Sequence, residues 1–133
     1  MVSTFMYHEG LLKFIQSIST HPDDYSGKPG SADIHISPDG NFLYASNRGE
    51  ENNIAIFRIN KSSGKLTLKG FTPSGGKTPR NFIIEPSGKY LLVANQNTNN
   101  IVIYKRDKLS GSLTPTGQEI SIPKPVCLQM MSK

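Results

Sequence analysis

Four side chains have the type and placement to act on a ligand: Arg48, Arg80, His35 and Asp33. Arg48 closes the run Tyr44-Ala-Ser-Asn-Arg and stands where Gln96 stands in a related segment further along the chain. A guanidinium at that one point could hold a carboxylate or phosphate through paired N–H donors and stabilise a developing oxyanion. The competing role is a loop arginine paired with Glu50 or Glu51. Arg80 opens an extended segment, at the position held by Ala32 before it and Val126 after it; it could reach the same ligand or bridge to a neighbouring unit. Asp33 and His35 are two residues apart and so share one side of a strand. They could orient a substrate or pass a proton, or simply join adjacent sheets. His8, His21 and His35 lack the spacing of metal ligands. Neither a Gly-x-Ser-x-Gly elbow nor a P-loop is present. Chemistry without metal or cofactor is expected.

The elements that carry these residues follow from an internal repeat. Ser37-Pro-Asp-Gly-Asn-Phe-Leu-Tyr-Ala-Ser-Asn47 returns 48 residues later as Glu85-Pro-Ser-Gly-Lys-Tyr-Leu-Leu-Val-Ala-Asn95. Asn52-Asn-Ile-Ala-Ile-Phe57 returns as Asn99-Asn-Ile-Val-Ile-Tyr104, and Lys61-Ser-Ser-Gly-Lys-Leu-Thr67 as Lys108-Leu-Ser-Gly-Ser-Leu-Thr114, both at an offset of 47. Each unit reads as four short strands rich in Ile, Val, Phe and Tyr, separated by Gly, Pro, Asn, Asp and Ser. Four antiparallel strands at this period predict an all-β fold, a β-propeller of four-stranded blades. One full blade is expected over 32–71 and a second over 80–120. A blade end lies over 3–18, as strands Ser3–Tyr7 and Leu11–Ile18, and the inner strand of a following blade over 126–131. That makes about two and three-quarter blades, too few to close a ring. Open blade faces would leave apolar surface in water. The chain is therefore read as a fragment; assembly with other copies or with missing blades is the other way to close the ring.

Antiparallel alternation puts Pro38-Asp-Gly40 and Lys61–Gly64 on one face of the disc. His21–Gly30, Asn47–Asn53, Gly75–Arg80 and Asn95–Asn100 fall on the other, where the longer polar loops predict the binding site. The asparagines of the last loop are expected to cap turns, and Cys127 to be an inert residue in an apolar strand.

Composition narrows the function. The 133 residues are 35% hydrophobic and 19% charged, which excludes wholesale disorder. No apolar run is long enough for a membrane helix. A net charge of +5 favours an anionic ligand, but the basic residues are scattered singly, so nucleic acid is not expected as a partner. A single cysteine and the lack of a secretory pattern at the N-terminus predict a cytoplasmic location.

Ala32-Asp-Ile-His-Ile-Ser-Pro-Asp-Gly-Asn-Phe-Leu-Tyr-Ala-Ser-Asn-Arg48, Thr78-Pro-Arg-Asn-Phe82, Pro86-Ser-Gly-Lys-Tyr-Leu91 and Lys124-Pro-Val-Cys-Leu128 together resemble the bacterial lactonase family of seven-bladed propellers. The likeness covers nearly the whole chain and matches the C-terminal third of that family. It implies hydrolysis of 6-phosphogluconolactone to 6-phosphogluconate in the pentose phosphate pathway, with an anionic lactone as partner and a channel arginine near Arg48. It also implies that the histidine and glutamate proposed for proton transfer belong to earlier blades, so no catalytic residue is assigned in this chain and the isolated fragment is expected to be inactive. A eukaryotic branch of the family forms a muconate lactone instead, and a propeller scaffold without catalysis is the further alternative. The absence of tryptophan and of Gly-His and Trp-Asp signatures speaks against the WD40 type.

Overall fold

The structure is a computed structural model and describes residues 1–131. Ten strands form, with no helix among the described residues. β1 (Val2–His8) and β2 (Leu11–Ile18) make a two-stranded sheet I. β3 (Ser31–Ile36), β4 (Phe42–Asn47), β5 (Asn53–Ile59) and β6 (Leu66–Pro73) make sheet II. β7 (Pro79–Ile84), β8 (Tyr90–Asn95), β9 (Asn100–Arg106) and β10 (Leu113–Ser121) make sheet III. All pairings are antiparallel, each sheet keeps chain order, and every sheet is open. Sheets II and III each cover one copy of the internal repeat.

Sheet II is sandwiched, which explains why every residue of β4 is buried. Side chains alternate across a strand, so each face of sheet II has its own set. Phe42, Tyr44, Ile54 and Ile56 pack with Phe82, Leu91, Val93, Val102 and Tyr104 of sheet III. Leu43, Ala45, Ala55 and Phe57 pack with Val2 of sheet I. A strand flanked on both sides reads as a continuous apolar run, and Phe42-Leu-Tyr-Ala is one. The outermost faces lack such cover: Phe5, Tyr7, Leu12 and Phe14 of sheet I are exposed, as are Ile120 and Ile122 at the far end.

Two expectations need correction. Val126–Met131 forms no strand. A strand requires a ladder partner, and among the described residues the segment is held instead by one bond, from Leu128 N–H to Asn81 Oδ1 (2.7 Å). Cys127, expected inside an apolar strand, is consequently exposed.

Candidate functional site

Three devices built from asparagine and aspartate fix the loops around the expected site, and each recurs. The first sits at the end of the second strand of each sheet. Asn47 and Asn95 are fully buried and donate from Nδ2 to the connection preceding their sheet, to Thr20 O (2.5 Å) and Ser74 O (2.9 Å) respectively. The second lies in the next loop, where Asn52 and Asn99 adopt left-handed backbone (φ 43° and 58°), which asparagine tolerates better than most residues. Asn52 accepts Ser74 N–H on its carbonyl and Thr78 N–H on Oδ1 (2.8 and 2.7 Å). Asn99 does the same for Ile122 and Lys124 (both 3.0 Å). The third ties the first strand of a sheet to the segment that follows the sheet: Asp33 Oδ2 accepts Phe82 N–H (3.0 Å) as Asn81 Oδ1 accepts Leu128 N–H. Leu128 therefore occupies, relative to sheet III, the place that Phe82 occupies relative to sheet II.

These devices dispose of part of the candidate set. Asp33 also accepts from Asn81 Nδ2 (2.6 Å) and lies 3.0 Å from His35 Nε2. The Asp33 carboxylate can take the His35 Nε2–H, which leaves Nδ1 on the other side of the ring. His35 meets Phe82 edge-on at 4.8 Å. Asp33 and His35 are thus brought together as the spacing required, and Asp33 is committed to the junction of β3 with β7. A cleft of about 160 Å³ lies against it, lined also by Val2, Thr20, Ser31 and Ile34.

Arg48 begins the loop 48–52, on the face the alternation argument selected. Its N–H donates to Gly30 O (2.6 Å), and its Nη2 approaches Ser31 O at the start of β3 (3.4 Å). Its Nε is buried with no partner. Neither Glu50 nor Glu51 pairs with it among the described residues. Glu51 instead bonds His21 Nδ1, and both side chains are about nine-tenths buried. Arg80 is exposed at the start of β7 and has no hydrogen-bond or ion-pair partner among the described residues.

Sequence reasoning missed Arg106. Its side chain has no exposure and links two sheets, bonding Asp39 of the turn after β3 and donating from Nε to Gly88 O (2.7 Å). Burial alone would raise the Asp39 carboxyl, but hydrogen bonds from Ser37, Arg106 and Asn41 outweigh it and hold it at about 2. The available signal was a pattern break: the repeat sets Arg106 against Ile59, a cation where an apolar residue belongs. The pairing lies on the face opposite Arg48, which makes it a clasp between sheets. No group of three His, Cys, Asp or Glu side chains suited to a metal occurs among the described residues.

Residues 1–130 match the family described as Lactonase, 7-bladed beta-propeller. The chain belongs to the lactonase family. A 6-phosphogluconolactonase of Formosa agariphila is 51% identical over 98% of this chain and 37% of its own length. The 6-phosphogluconolactonase of Bacillus subtilis is 36% identical over 92% of the chain and 35% of its own length. Among solved structures, the periplasmic gluconolactonase of Pseudomonas aeruginosa superposes with a TM-score of 0.90 at 33% identity, over 96% of the chain and 35% of that protein. The chain spans little more than a third of the length of the curated relatives it matches.

Proposed function

We propose that sheets II and III are consecutive blades of a seven-bladed lactonase ring, that sheet I is the outer half of the blade before them, and that residues 126–131 become the inner strand of the blade after them. The ring hydrolyses 6-phosphogluconolactone to 6-phosphogluconate. The observation that carries this reading is Arg48: a guanidinium at the inner end of the loop face, lacking a carboxylate partner among the described residues, with its Nε shielded. Such a group is ready for an anion. In this reading Arg48 and Arg80 hold the phosphate and the charge that develops on the carbonyl oxygen as water attacks the lactone carbon. Asp33 fixes the ring of His35, which keeps Nδ1 for the ligand or an ordered water. The general base lies outside this chain. The apolar faces of sheets I and III are covered by the remaining blades or, failing those, by a second copy.

A phosphorylated sugar lactone is made inside cells, and a cytoplasmic location follows from that substrate. The periplasmic gluconolactonase among the structural relatives supports a second reading, an unphosphorylated lactone in another compartment. Hydrolysis of both lactones by the protein carrying this chain, beside an Arg48→Ala variant, tests the two. The expected result is preference for the phosphorylated lactone and a loss of roughly 100-fold in kcat/KM for that variant. Rates no higher than spontaneous hydrolysis would leave a propeller scaffold as the better account. A preference for the unphosphorylated lactone would favour the second reading.

A further inference from the structure

The connection between β2 and β3, residues 19–30, is more than twice as long as its counterpart between β6 and β7, residues 74–78. The shorter connection makes the same contacts with the body of its sheet. Thr78 O receives Gln96 N–H as Gly30 O receives Arg48 N–H, and Ser74 O receives Asn95 as Thr20 O receives Asn47. The additional residues are therefore not needed to close a sheet. They lie against the two acids that follow Arg48. His21 takes Glu51. Tyr25 stacks on His21 at 5.1 Å, and Gly27 lies so near Glu50 that a Cβ there would sit 2.7 Å from Glu50 Oε2. The Tyr25 hydroxyl is pushed above its ordinary value by lost solvent and then by the charges of Glu51 and Glu50.

The His21–Glu51 pair is poorly explained as a stabilising contact. His21 Nε2 and Glu51 Oε1 are both buried without partners, and a buried polar atom left unpaired costs stability. Glu51 follows Arg48 by three residues around a turn with Gly49 at φ 82°. A glutamate there is the natural counter-ion for Arg48 and would neutralise it.

We propose that His21 is a positioning residue that draws Glu51 away from Arg48 and so keeps the guanidinium available to the anionic group of the substrate. This rests on the reading of Arg48 as an anion-binding residue. Sheet III, with Gln96 at the position of Arg48, has no cation there and a short connection.

The test uses three variants of the protein carrying this chain. His21→Leu is close in size but cannot hold the carboxylate; it frees Glu51 to pair with Arg48 and raises KM for 6-phosphogluconolactone roughly fivefold, with the change falling on KM rather than kcat. The double variant His21→Leu/Glu51→Gln has nearly the same shape without the charge, and its KM returns to the parent value. His21→Gln, whose amide still donates to Glu51, stays near the parent. A loop that merely lost its packing would be rescued by neither change. An elevated KM persisting in the double variant, or an unaltered KM in His21→Leu, overturns the inference. The same series is read in the binding of inorganic phosphate, which separates this inference from the choice of substrate. If the lactone is not hydrolysed but phosphate affinity follows the same order, the positioning role stands. Phosphate binding that is absent, or indifferent to Arg48→Ala, overturns it.

Discussion

Sheets II and III carry the same sequence pattern, and the molecule divides by what they share and where they part. The shared positions are structural. Asn47 and Asn95 anchor the preceding connections, Asn52 and Asn99 anchor the following ones, and Asp33 and Asn81 each take a backbone N–H from the segment that follows their sheet, of Phe82 and Leu128 respectively. The differences lie in Arg48 against Gln96, in the long connection beside Arg48, in Arg106 against Ile59, and in Ser31 against Pro79. A repeat keeps the residues that hold its units together and varies those freed for local tasks. Departures from the pattern are thus more informative about function than the pattern itself.

Arg106 is the departure with the largest expected effect on stability. Its cation is wholly buried beside Asp39, and Tyr44 next to it donates to Gly111 O (2.7 Å). Replacing Arg106 with leucine strands Asp39 and the Gly88 carbonyl, and about 3 kcal/mol of stability is expected to go with it. Ile59→Leu, the matching change in sheet II, should cost less than about 1.5 kcal/mol. Urea midpoints for the two variants would show the contrast, and equal shifts would mean that Arg106 is no clasp.

The buried asparagines sharpen the comparison. Asn47 donates to Thr20 O and to Asn53 Oδ1 (2.9 Å), and its Oδ1 receives the Ser31 hydroxyl (3.3 Å). Asn95 keeps only the bond to Ser74 O, and its buried Oδ1 has no partner. Asn47→Ala should therefore cost about 2 kcal/mol and Asn95→Ala about 1. Thermal unfolding measured side by side would detect the difference, and a reversed order would break it.

These contrasts also mark what the sequence could reveal. Strand positions were legible because apolar runs and Gly-Pro-Asn turns recur at a fixed period, and the selection of the loop face followed from antiparallel alternation alone. Asp33 and His35 were legible as a pair for the same reason. Partners across sheets were not. Arg106 meets Asp39 from 67 residues away, and His21 meets Glu51 from 30, at distances fixed only when sheets stack. The spacing of His21 speaks against a metal ligand, and spacing says nothing about a single carboxylate. The failure over 126–131 has a different origin: periodicity locates a strand, but pairing needs a neighbour.

The turns following β3 and β7 solve one problem with different acids, and pH probes both. Asp39 is held at about 2 as described above. At the equivalent turn, Glu85 is also held at about 2: the cost of burial is outweighed by bonds from the Ser87 hydroxyl and from the N–H groups of Ser87, Lys89 and Tyr90. A carboxyl depressed in the folded state stabilises fully above its unfolded value and loses that contribution as pH falls toward its folded value. Stability should accordingly decline between about pH 4 and pH 2. Glu85→Gln should flatten part of that decline, as read from unfolding midpoints across the range. An unchanged profile would show that the turn hydrogen bonds do not depend on charge.

The smallest effect tests the origin of the orphan oxygen in sheet III. Ser31 pairs with Asn47 across β3 and β4, and Pro79 pairs with Asn95 across β7 and β8. Proline has no hydroxyl to offer, which leaves Asn95 Oδ1 bare. Pro79→Ser would supply the missing donor, a gain of about 1 kcal/mol, while relaxing the unfolded chain by up to about 1 kcal/mol. The net change should be near zero, so the single variant is uninformative by itself. In the Asn95→Ala background the donor has nothing to meet, and only the loss remains. Pro79→Ser should then be worse there by about 1 kcal/mol, a coupling that a double-mutant cycle reads directly. Additive effects would place the cause of the bare oxygen somewhere other than residue 79.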